Sequence, residues 1–258
     1  MDSILLKLKE NTAIITLNRP EKFNALNGAM ALLLQKVLDG CAADKKIRAI
    51  YLTGSGKAFC AGQDLGEMTG ENAPALNTVL KDYYNPIVTR IRNIEKPVVC
   101  AVNGVAAGAG ANIALCCNIV VATQSASFIQ AFSKIGLIPD SGGTFILPRL
   151  IGWQKASALM MLGDKVNAAD AEKYGMLYKV FADDVFAEES MKIAITLSKM
   201  PTKALAYTKQ ALNASLHNSF ETQLQTEDQL QFAAGHTTDY KEGVAAFVEK
   251  RMPVFKGE

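Results

Sequence analysis

The order of apolar and polar positions along the chain predicts strands that alternate with helices. Residues 3–9 and 12–18 alternate apolar and polar side chains around a Glu10-Asn11 turn, which is typical of a β-hairpin. Short apolar runs predict buried strands at 47–53, 97–102 and 119–123. Amphipathic patterns predict helices from an Asn27 cap to about residue 42, and at 77–94 and 112–117. Short apolar strands separated by helices favour an α/β fold.

The pattern changes toward the end of the chain. From residue 142 it is mostly helical, apart from a short strand near 177–181. Pro201 is expected to end the helix before it. Three helical patterns then follow without a strand between them, at 202–216, 220–234 and 240–250. We therefore expect a core over residues 1–200 and a helical region over 201–258, which must dock on the core or on another subunit because it buries little by itself.

The composition is that of an ordinary globular protein, with 49% hydrophobic and 20% charged residues. A net charge of +2 does not indicate nucleic acid or an anionic membrane as a partner. No apolar stretch reaches the ~18 residues of a membrane span, and no targeting signal is visible, so the expected location is the cytoplasm. The five cysteines lack a C-x-x-C pair, which predicts buried free thiols.

The chain has two histidines, His217 and His236, and both lie in helical patterns. Neither has the G-x-S-x-G partner of a hydrolase triad, and neither lies near the cysteines as a zinc site would require. Both are expected to be helix-surface residues. Any chemistry should therefore use carboxylates, backbone dipoles, lysines or thiols, and no metal is expected.

Two loops of very small side chains each follow a predicted strand. The first reads G-S-G-K-A-F-C-A-G-Q-D-L at 54–65, and the second reads N-G-V-A-A-G-A-G-A at 103–111. Small residues permit tight turns and close packing, and they also let backbone N–H groups approach a ligand. The second loop lacks the G-x-G-x-x-G spacing of dinucleotide sites. Two N–H groups that converge on one oxygen would form an oxyanion hole, which a thioester enolate requires.

Two aspartates are candidate functional carboxylates. Asp64, in the first loop, could act in the chemistry or could cap neighbouring N–H groups, which is the more usual role. Asp140 lies in the segment I-G-L-I-P-D-S-G-G-T at 135–144, just before a helical pattern. It could be a helix N-cap. It could also be a general base, because apolar neighbours would raise its basicity.

Four segments, in order along the whole chain, carry further signatures. They read N-R-P-E-K-F-N-A-L-N at 18–27, F-C-A-G-Q-D-L at 59–65, N-G-V-A-A-G-A-G-A-N-I-A-L at 103–115 and E-G-V-A-A-F-V-E-K-R-M-P-V-F at 242–255. Together they resemble the crotonase (enoyl-CoA hydratase/isomerase) superfamily. The resemblance implies an α/β fold, a ClpP-like spiral of ββα turns with a C-terminal helical trimerisation region. It also implies a homotrimer or a dimer of trimers.

The resemblance further implies a site for an acyl-CoA thioester. The backbone N–H groups of Gln63 and Ala109 would be the oxyanion donors. Contacts with the CoA thioester are expected from Lys22, Phe23, Ala25, Ala61, Gly62, Gln63, Asp64 and Leu65, and from Lys250 of a neighbouring subunit. No separate cofactor is implied, because CoA arrives as part of the substrate. Residues around 68–79 and 132–138 would line the acyl pocket.

Two departures from the family pattern bear on the reaction. Family hydratases carry two catalytic glutamates, and Asn112 and Phe132 stand at those positions here. Neither side chain can exchange a proton as a carboxylic acid does, so Asp140 is the remaining candidate base. The segment around it resembles that of the ring-1,2-epoxyphenylacetyl-CoA isomerases of phenylacetate breakdown, which also shift 3-enoyl-CoA double bonds.

The resemblance therefore implies an isomerase of phenylacetate or fatty-acid metabolism. Asp140 would remove a proton α to the thioester and return it at the γ-carbon. Two alternatives stay open: a hydratase that uses Asp140 with a bound water, and a non-catalytic homologue that only binds acyl-CoA.

Overall fold

The computed structural model describes residues 2–69 and 73–258, which form a larger and a smaller sheet joined by helices. The strands of the larger sheet are β1 (Ile4–Lys9), β2 (Thr12–Leu17), β3 (Ala49–Gly54), β5 (Val98–Val102), β7 (Ile119–Thr123) and β10 (Lys179–Phe181). The strands of the smaller sheet are β4 (Ala58–Cys60), β6 (Val105–Ala107), β8 (Ser127–Ile129) and β9 (Lys165–Asn167). The helices are α1 (Gly28–Ala43), α2 (Leu76–Thr78), α3 (Asn85–Asn93), α4 (Ala109–Leu115), α5 (Gly143–Ile151), α6 (Trp153–Leu162), α7 (Ala168–Tyr174), α8 (Phe186–Lys199), α9 (Thr202–Ser215), α10 (Phe220–Gly235) and α11 (Thr238–Val248).

The chain visits the two sheets in turn. β1 and β2 form an antiparallel hairpin, and the other strands of the larger sheet run parallel in the order β2-β3-β5-β7-β10. β4 follows β3, β6 follows β5 and β8 follows β7, and these short strands are parallel neighbours in the smaller sheet. Each turn of the chain thus consists of a long strand, a short strand and a helical segment. This is the ββα spiral that the resemblance implies.

The larger sheet is covered on both faces, which explains its continuous apolar strands. Every residue of β5 is buried. One face packs on the main core together with α1 and α3, and the other packs on α8. On the α8 side, the hydroxyl groups of Tyr51 and Ser190 lie 2.8 Å apart in a buried hydrogen bond. The larger sheet is therefore packed on both faces, and the short strands continue from the ends of its strands.

The predicted long elements are confirmed, and the short strands were missed. The hairpin is present, and the side chain of Asn27 caps α1 by accepting a hydrogen bond from the N–H of Met30. β4, β6, β8 and β9 have three residues each, which is too short for an alternation to be visible. The helix expected at 112–117 begins at Ala109 instead, because the small-residue loop supplies its first turn.

The helix expected at 77–94 spans 76–93, with a π-helical turn at Val79–Tyr84 between α2 and α3. Pro86 has no N–H, so the carbonyl four residues earlier, on Asp82, has no α-helical donor. The buried Gln35 of α1 supplies one, since its Nε2 donates to the carbonyls of Asp82 at 2.8 Å and Tyr83 at 3.1 Å. These hydrogen bonds join the π-helical turn to α1.

Helix α9 and the C-terminal segment dock on the core through two cations, the buried Lys209 and the half-buried Arg48. The ammonium group of Lys209 in α9 donates to the carbonyls of Ile91 at 2.7 Å and Lys96 at 3.2 Å. Arg48 donates to the Thr202 hydroxyl at 2.9 Å and to the carbonyl of Phe255 at 2.7 Å. The division of the chain at residue 201 stays a prediction.

All five cysteines are free and buried, as predicted from their number and spacing. None of the helices in the described ranges is both long and apolar enough to cross a membrane.

Candidate active site

The two small-residue loops meet at one edge of the smaller sheet. β4 and β6 are parallel neighbours, so the segments that follow them leave on the same side. Gly62 has a φ of +91°, and a Cβ placed there would lie 2.8 Å from the carbonyl oxygen of Ala107 and 3.4 Å from the nitrogen of Ala109. A Cβ on Gly110 would lie 2.4 Å from the carbonyl oxygen of Cys60. The loops approach this closely only because both positions are glycine.

The backbone N–H groups of Gln63 and Ala109 are available to a ligand. The N–H of Leu26 donates to Gly62 at 2.7 Å and that of Asp64 donates to Leu26 at 2.9 Å, which turns the intervening N–H of Gln63 to the opposite side. Ala109 opens α4, so its N–H has no acceptor within the helix. Over residues 2–69 and 73–258, neither N–H donates to a protein acceptor. The two loops thus each leave one backbone donor without an acceptor where they lie against each other.

The segment before α1 lies against the first loop. The N–H of Ala61 donates to the carbonyl of Phe23 at 3.0 Å. Phe23 and Asn24 both have a left-handed backbone, and the Asn24 amide holds this turn by donating to the carbonyls of Ser55 at 2.9 Å and Ala58 at 2.8 Å. Lys22 and Phe23 are exposed beside the loop and Ala25 is buried. The structure therefore brings the candidate residues of 22–25 and 61–65 together.

Asp64 stabilises the first loop. Its carboxylate accepts hydrogen bonds from the Arg19 guanidinium at 2.8 Å and from the N–H of Gly66 at 3.1 Å, which caps a short 3-10 helix at Leu65–Met68. Burial alone would raise the pKa of this carboxyl, but the hydrogen bonds and positive charges of Arg19 and Lys22 outweigh it and lower the pKa. Asp64 is thus a charged capping group, the more usual of the two roles expected for it.

Asp140 occupies the segment that leads into α5. The expectation that it could be a helix N-cap is wrong: α5 begins at Gly143, and no side chain caps it. The carboxylate instead accepts a hydrogen bond from the Ser141 hydroxyl at 2.8 Å. Burial raises the pKa of the Asp140 carboxyl, and the Ser141 hydrogen bond opposes that shift only in part. The result is a carboxylate that is a stronger base than an exposed aspartate.

A side-chain amide links Asp140 to α4, the helix that begins at the candidate oxyanion donor Ala109. Asn112, one turn beyond Ala109 in α4, donates from Nδ2 to the carbonyl of Asp140 at 2.8 Å. The buried Phe132 lies on the other side of the loop, and a Cβ on Gly108 would be 3.7 Å from its ring. One short helix therefore contacts both the candidate oxyanion donor and the segment of the candidate base.

Comparison with known proteins identifies the family. A family model described as enoyl-CoA hydratase/isomerase matches residues 7–258. The chain belongs to the enoyl-CoA hydratase/isomerase family. It is 45% identical over the full length of both chains to a 1,2-epoxyphenylacetyl-CoA isomerase of Escherichia coli K12. It is 44% identical to a probable enoyl-CoA hydratase of Rhodobacter capsulatus, which covers 99% of this chain and 98% of that one.

The fold of this enoyl-CoA hydratase/isomerase family member is also shared with solved structures. A putative enoyl-CoA hydratase/isomerase from Mycobacterium abscessus superposes with a TM-score of 0.93 at 35% identity, over 99% of this chain and 100% of that one. The crotonase fold expected from the sequence is therefore confirmed.

The remaining candidates lie outside this constellation. Lys250 is exposed just beyond α11, and its role toward a neighbouring subunit's CoA stays a prediction. His217 and His236 are exposed, as expected, and the ring of His217 stacks on Phe145. Of the predicted acyl-pocket segments, 132–138 is described, whereas 70–72 within 68–79 lie outside the described residues. The described residues hold no cluster of three potential metal ligands.

The Asn112 contact was not foreseen from the sequence. A signal for it was present, because Asn112 is the single polar side chain in the otherwise small and apolar Ala109–Leu115 helix. A buried amide must satisfy its hydrogen bonds, so a partner near the helix could have been sought. Nothing local in the sequence indicates that the partner is the backbone of residue 140.

Proposed function

We propose that this chain is an acyl-CoA isomerase that moves a proton with a single base, Asp140. The observation that carries the proposal is the position of the Asp140 carboxylate: it is half-buried, a stronger base than usual, and tied to the helix that presents the Ala109 N–H. Asn112 and Phe132, at the positions where family hydratases carry glutamates, cannot supply a second acid or base.

The reaction follows from this arrangement. The thioester oxygen accepts hydrogen bonds from the N–H groups of Gln63 and Ala109, so negative charge on that oxygen is stabilised as it develops. Asp140 removes a proton from the α-carbon, and the electron pair of that C–H bond passes into the thioester to give a dienolate with its negative charge on the oxygen. The same carboxylic acid then returns the proton at the γ-carbon, the carbonyl re-forms, and the double bond is left between the α- and β-carbons. Atoms and electrons balance without an oxidant or a water. A raised carboxyl pKa helps both half-reactions, because it lies closer to the working pH.

The acyl group is proposed from the relatives. The Escherichia coli relative, named as a 1,2-epoxyphenylacetyl-CoA isomerase, favours an aromatic epoxide whose opening passes through the same thioester enolate. A 3-enoyl-CoA of fatty-acid breakdown is the aliphatic counterpart. CoA itself is proposed to contact Lys22, Phe23, Ala25 and the loop at 61–65.

The proposed assembly is a homotrimer or a dimer of trimers, with Lys250 reaching the CoA of a neighbouring subunit. Large apolar side chains that a single chain leaves exposed support a contact between copies of this chain: Trp153 is 74%, Met161 75% and Phe247 86% exposed. Light scattering coupled to size-exclusion chromatography would measure the number of subunits, and a monomer would contradict the proposal.

The function is tested by mass spectrometry of 3-hexenoyl-CoA and 2-hexenoyl-CoA incubated with wild type and Asp140→Asn. We expect wild type to interconvert the two without a change of mass and Asp140→Asn to lose nearly all turnover while still binding the thioester. Asp170→Asn, which changes a half-buried aspartate on α7, is the matched control and should keep wild-type turnover. Undiminished turnover by Asp140→Asn would contradict the role of the carboxylate.

The same experiment separates the alternatives. A product heavier by one water would indicate a hydratase, which the 44% identity to the Rhodobacter capsulatus protein favours. Binding without α-proton exchange in deuterated buffer would indicate a non-catalytic homologue. If the hexenoyl thioesters bind and exchange but do not isomerise, the epoxide substrate is the one to assay next.

A further inference from the structure

A chain of two side-chain amides leads from the smaller sheet to the candidate base. Gln130 follows β8 directly and is 3% exposed, and its Nε2 donates to Oδ1 of Asn112 at 2.8 Å. Asn112 is 1% exposed, and its Nδ2 donates to the carbonyl of Asp140 at 2.8 Å. Two buried amides thus form a chain of hydrogen bonds that ends at the carbonyl oxygen of Asp140.

The direction of this chain is fixed by chemistry. The Asp140 carbonyl can only accept, so Asn112 must turn its NH₂ toward it and its oxygen toward Gln130. Gln130 must in turn present its NH₂, because two facing oxygens would repel each other. The price is that Oε1 of Gln130 has no hydrogen-bond partner among the described residues. A buried acceptor left unpaired indicates that the orientation of Gln130 is set by Asn112.

The segment that the chain holds needs external support. Ser141 has a φ of +51° and Gly142 one of +77°, so two successive residues turn in the left-handed region, which a serine adopts only under constraint. The N–H of Gly143 donates to the same Asp140 carbonyl at 2.8 Å. A Cβ on Gly143 would come within 2.3 Å of Nδ2 of Asn112, so the turn packs directly on the amide.

We propose that Asn112 and Gln130 are positioning residues for the reaction: they clamp the Asp140 carbonyl and so hold its carboxylate at the proton-transfer distance. This inference rests on the proposed function of Asp140. Asn112 stands where family hydratases carry a catalytic acid, and in this chain that position has a different role. Instead of exchanging a proton, the side chain fixes the residue that does.

The test uses kcat, KM and pH together. Asn112→Ala should lower kcat by about 10- to 100-fold, since a shift of about 1 Å in a reacting group has such an effect, and should leave KM for the thioester within about twofold. Gln130→Ala should lower kcat less, because it acts through Asn112. Thermal unfolding of each variant establishes that the protein is folded at the assay temperature.

Two isosteric variants supply a readout that a merely structural role would not move. In Asn112→Asp and Gln130→Glu, an ionised carboxylate faces an acceptor, whereas the protonated acid can donate as the amide does. We therefore expect their kcat, divided by that of wild type at the same pH, to rise as the pH is lowered, while the ratio for Asn112→Ala stays low throughout. Asn11→Asp is the control: it changes an amide in the turn between β1 and β2 that donates to the carbonyl of Lys46, and its ratio should stay near one.

The two proposals fail separately. If Asp140→Asn keeps full turnover, the assignment of the base is wrong, and the inference about Asn112 falls with it. If Asp140→Asn is inactive but Asn112→Ala has the kcat of wild type, or if the kcat ratios of the acid variants do not change with pH, the clamp is wrong and the base stands.

Discussion

The guanidinium of Arg19 contacts the carboxylate of Asp64, with 2.8 Å between Nη2 and Oδ2, and both side chains are less than one-fifth exposed. Arg19 also donates to the carbonyl of Ala25 at 2.7 Å. The ion pair therefore ties the segment before α1 to the loop that carries Gln63. The position of one proposed oxyanion donor depends on a charge interaction beside it.

Removing this ion pair should weaken both folding and catalysis. Asp64→Asn keeps the shape of the side chain but leaves a partly buried Arg19 without its counter-charge. We expect the free energy of unfolding to fall by about 1–3 kcal/mol and kcat to fall at least tenfold as the N–H of Gln63 shifts. Urea unfolding and steady-state kinetics measure the two effects.

An exposed ion pair provides the control. Arg90 contacts Asp39 at 2.8 Å, but the Asp39 side chain is 58% exposed. Asp39→Asn should change the free energy of unfolding by less than about 1 kcal/mol and leave kcat unchanged. Equal effects from the two substitutions would show that the loop does not depend on Asp64.

The rate should depend on the ionisation of Asp140. The base must be deprotonated, and burial raises its pKa above the ordinary 3.8, so kcat should fall with decreasing pH at a pH higher than 3.8. Ser141→Ala removes a hydrogen bond that lowers this pKa. The acidic limb of its kcat profile should therefore move to higher pH. A limb that stays in place would mean that another group controls the rate.

The same shift has a consequence for stability. Because the folded pKa of Asp140 is raised, the native state gains stability from its protonated form below pH 3.8 and loses it as the pH rises through the folded pKa. At pH 7 the partly buried negative charge opposes folding, so Asp140→Asn should unfold at a higher urea concentration than wild type. The difference should vanish near pH 3, and a less stable variant at pH 7 would contradict the assignment.

Lys209 should impose the opposite dependence at alkaline pH. Burial lowers its pKa from 10.5 to about 8, so between these values the unfolded chain binds more protons than the native state and stability rises with pH. This contribution is of the order of 3 kcal/mol over the whole window. Lys209→Met should lose the rise. Comparing the urea midpoints of wild type and variant from pH 7.5 to about 10 isolates the contribution of Lys209. Midpoints that change in parallel with pH would contradict this contribution.

Close approach of the two loops is testable with one methyl group. Gly62→Ala puts a Cβ 2.8 Å from the Ala107 carbonyl and should abolish most activity, because the donors are pushed apart. Gly152→Ala is the matched control: Gly152 also has a positive φ, of +79°, but a Cβ there meets nothing within 4 Å. It should lower the free energy of unfolding by about 1–3 kcal/mol, because a φ of +79° with a ψ of 160° is a conformation that residues other than glycine rarely adopt, and should leave kcat intact. Similar kinetics for both would argue against crowding at the site.

Much of the fold could be predicted from the sequence because its long elements repeat apolar positions over many residues. The hairpin, α1 and the three terminal helices were all anticipated within a few residues. The smaller sheet could not be, because three residues such as Val105–Ala107 form a strand only through their neighbours in space. Likewise, the start of α4 at Ala109 depends on the packing of Gly110 against Cys60, which no local pattern contains.

The candidate site was predicted in part, through loops of small residues and two aspartates. Residues 61–65 and 108–110 lie against each other because β4 and β6 pair in parallel. The sequence therefore predicts the two loops but not the distance between them. For Asp140, the sequence left an N-cap and a base equally open. The structure excludes the N-cap role, because a left-handed turn at Ser141 and Gly142 separates the Asp140 carboxylate from the start of α5.

The rates at which the buried cysteine thiols react with an alkylating reagent should report which part of the fold opens. Burial raises the pKa of Cys41 to about 11 and that of Cys60 to about 12, so neither reacts with an alkylating reagent until its surroundings separate. Cys60 ends the strand that leads into the first loop, whereas Cys41 lies in α1. The ratio of their labelling rates would distinguish local opening of the first small-residue loop from global unfolding. A bound acyl-CoA should slow the labelling of Cys60 alone.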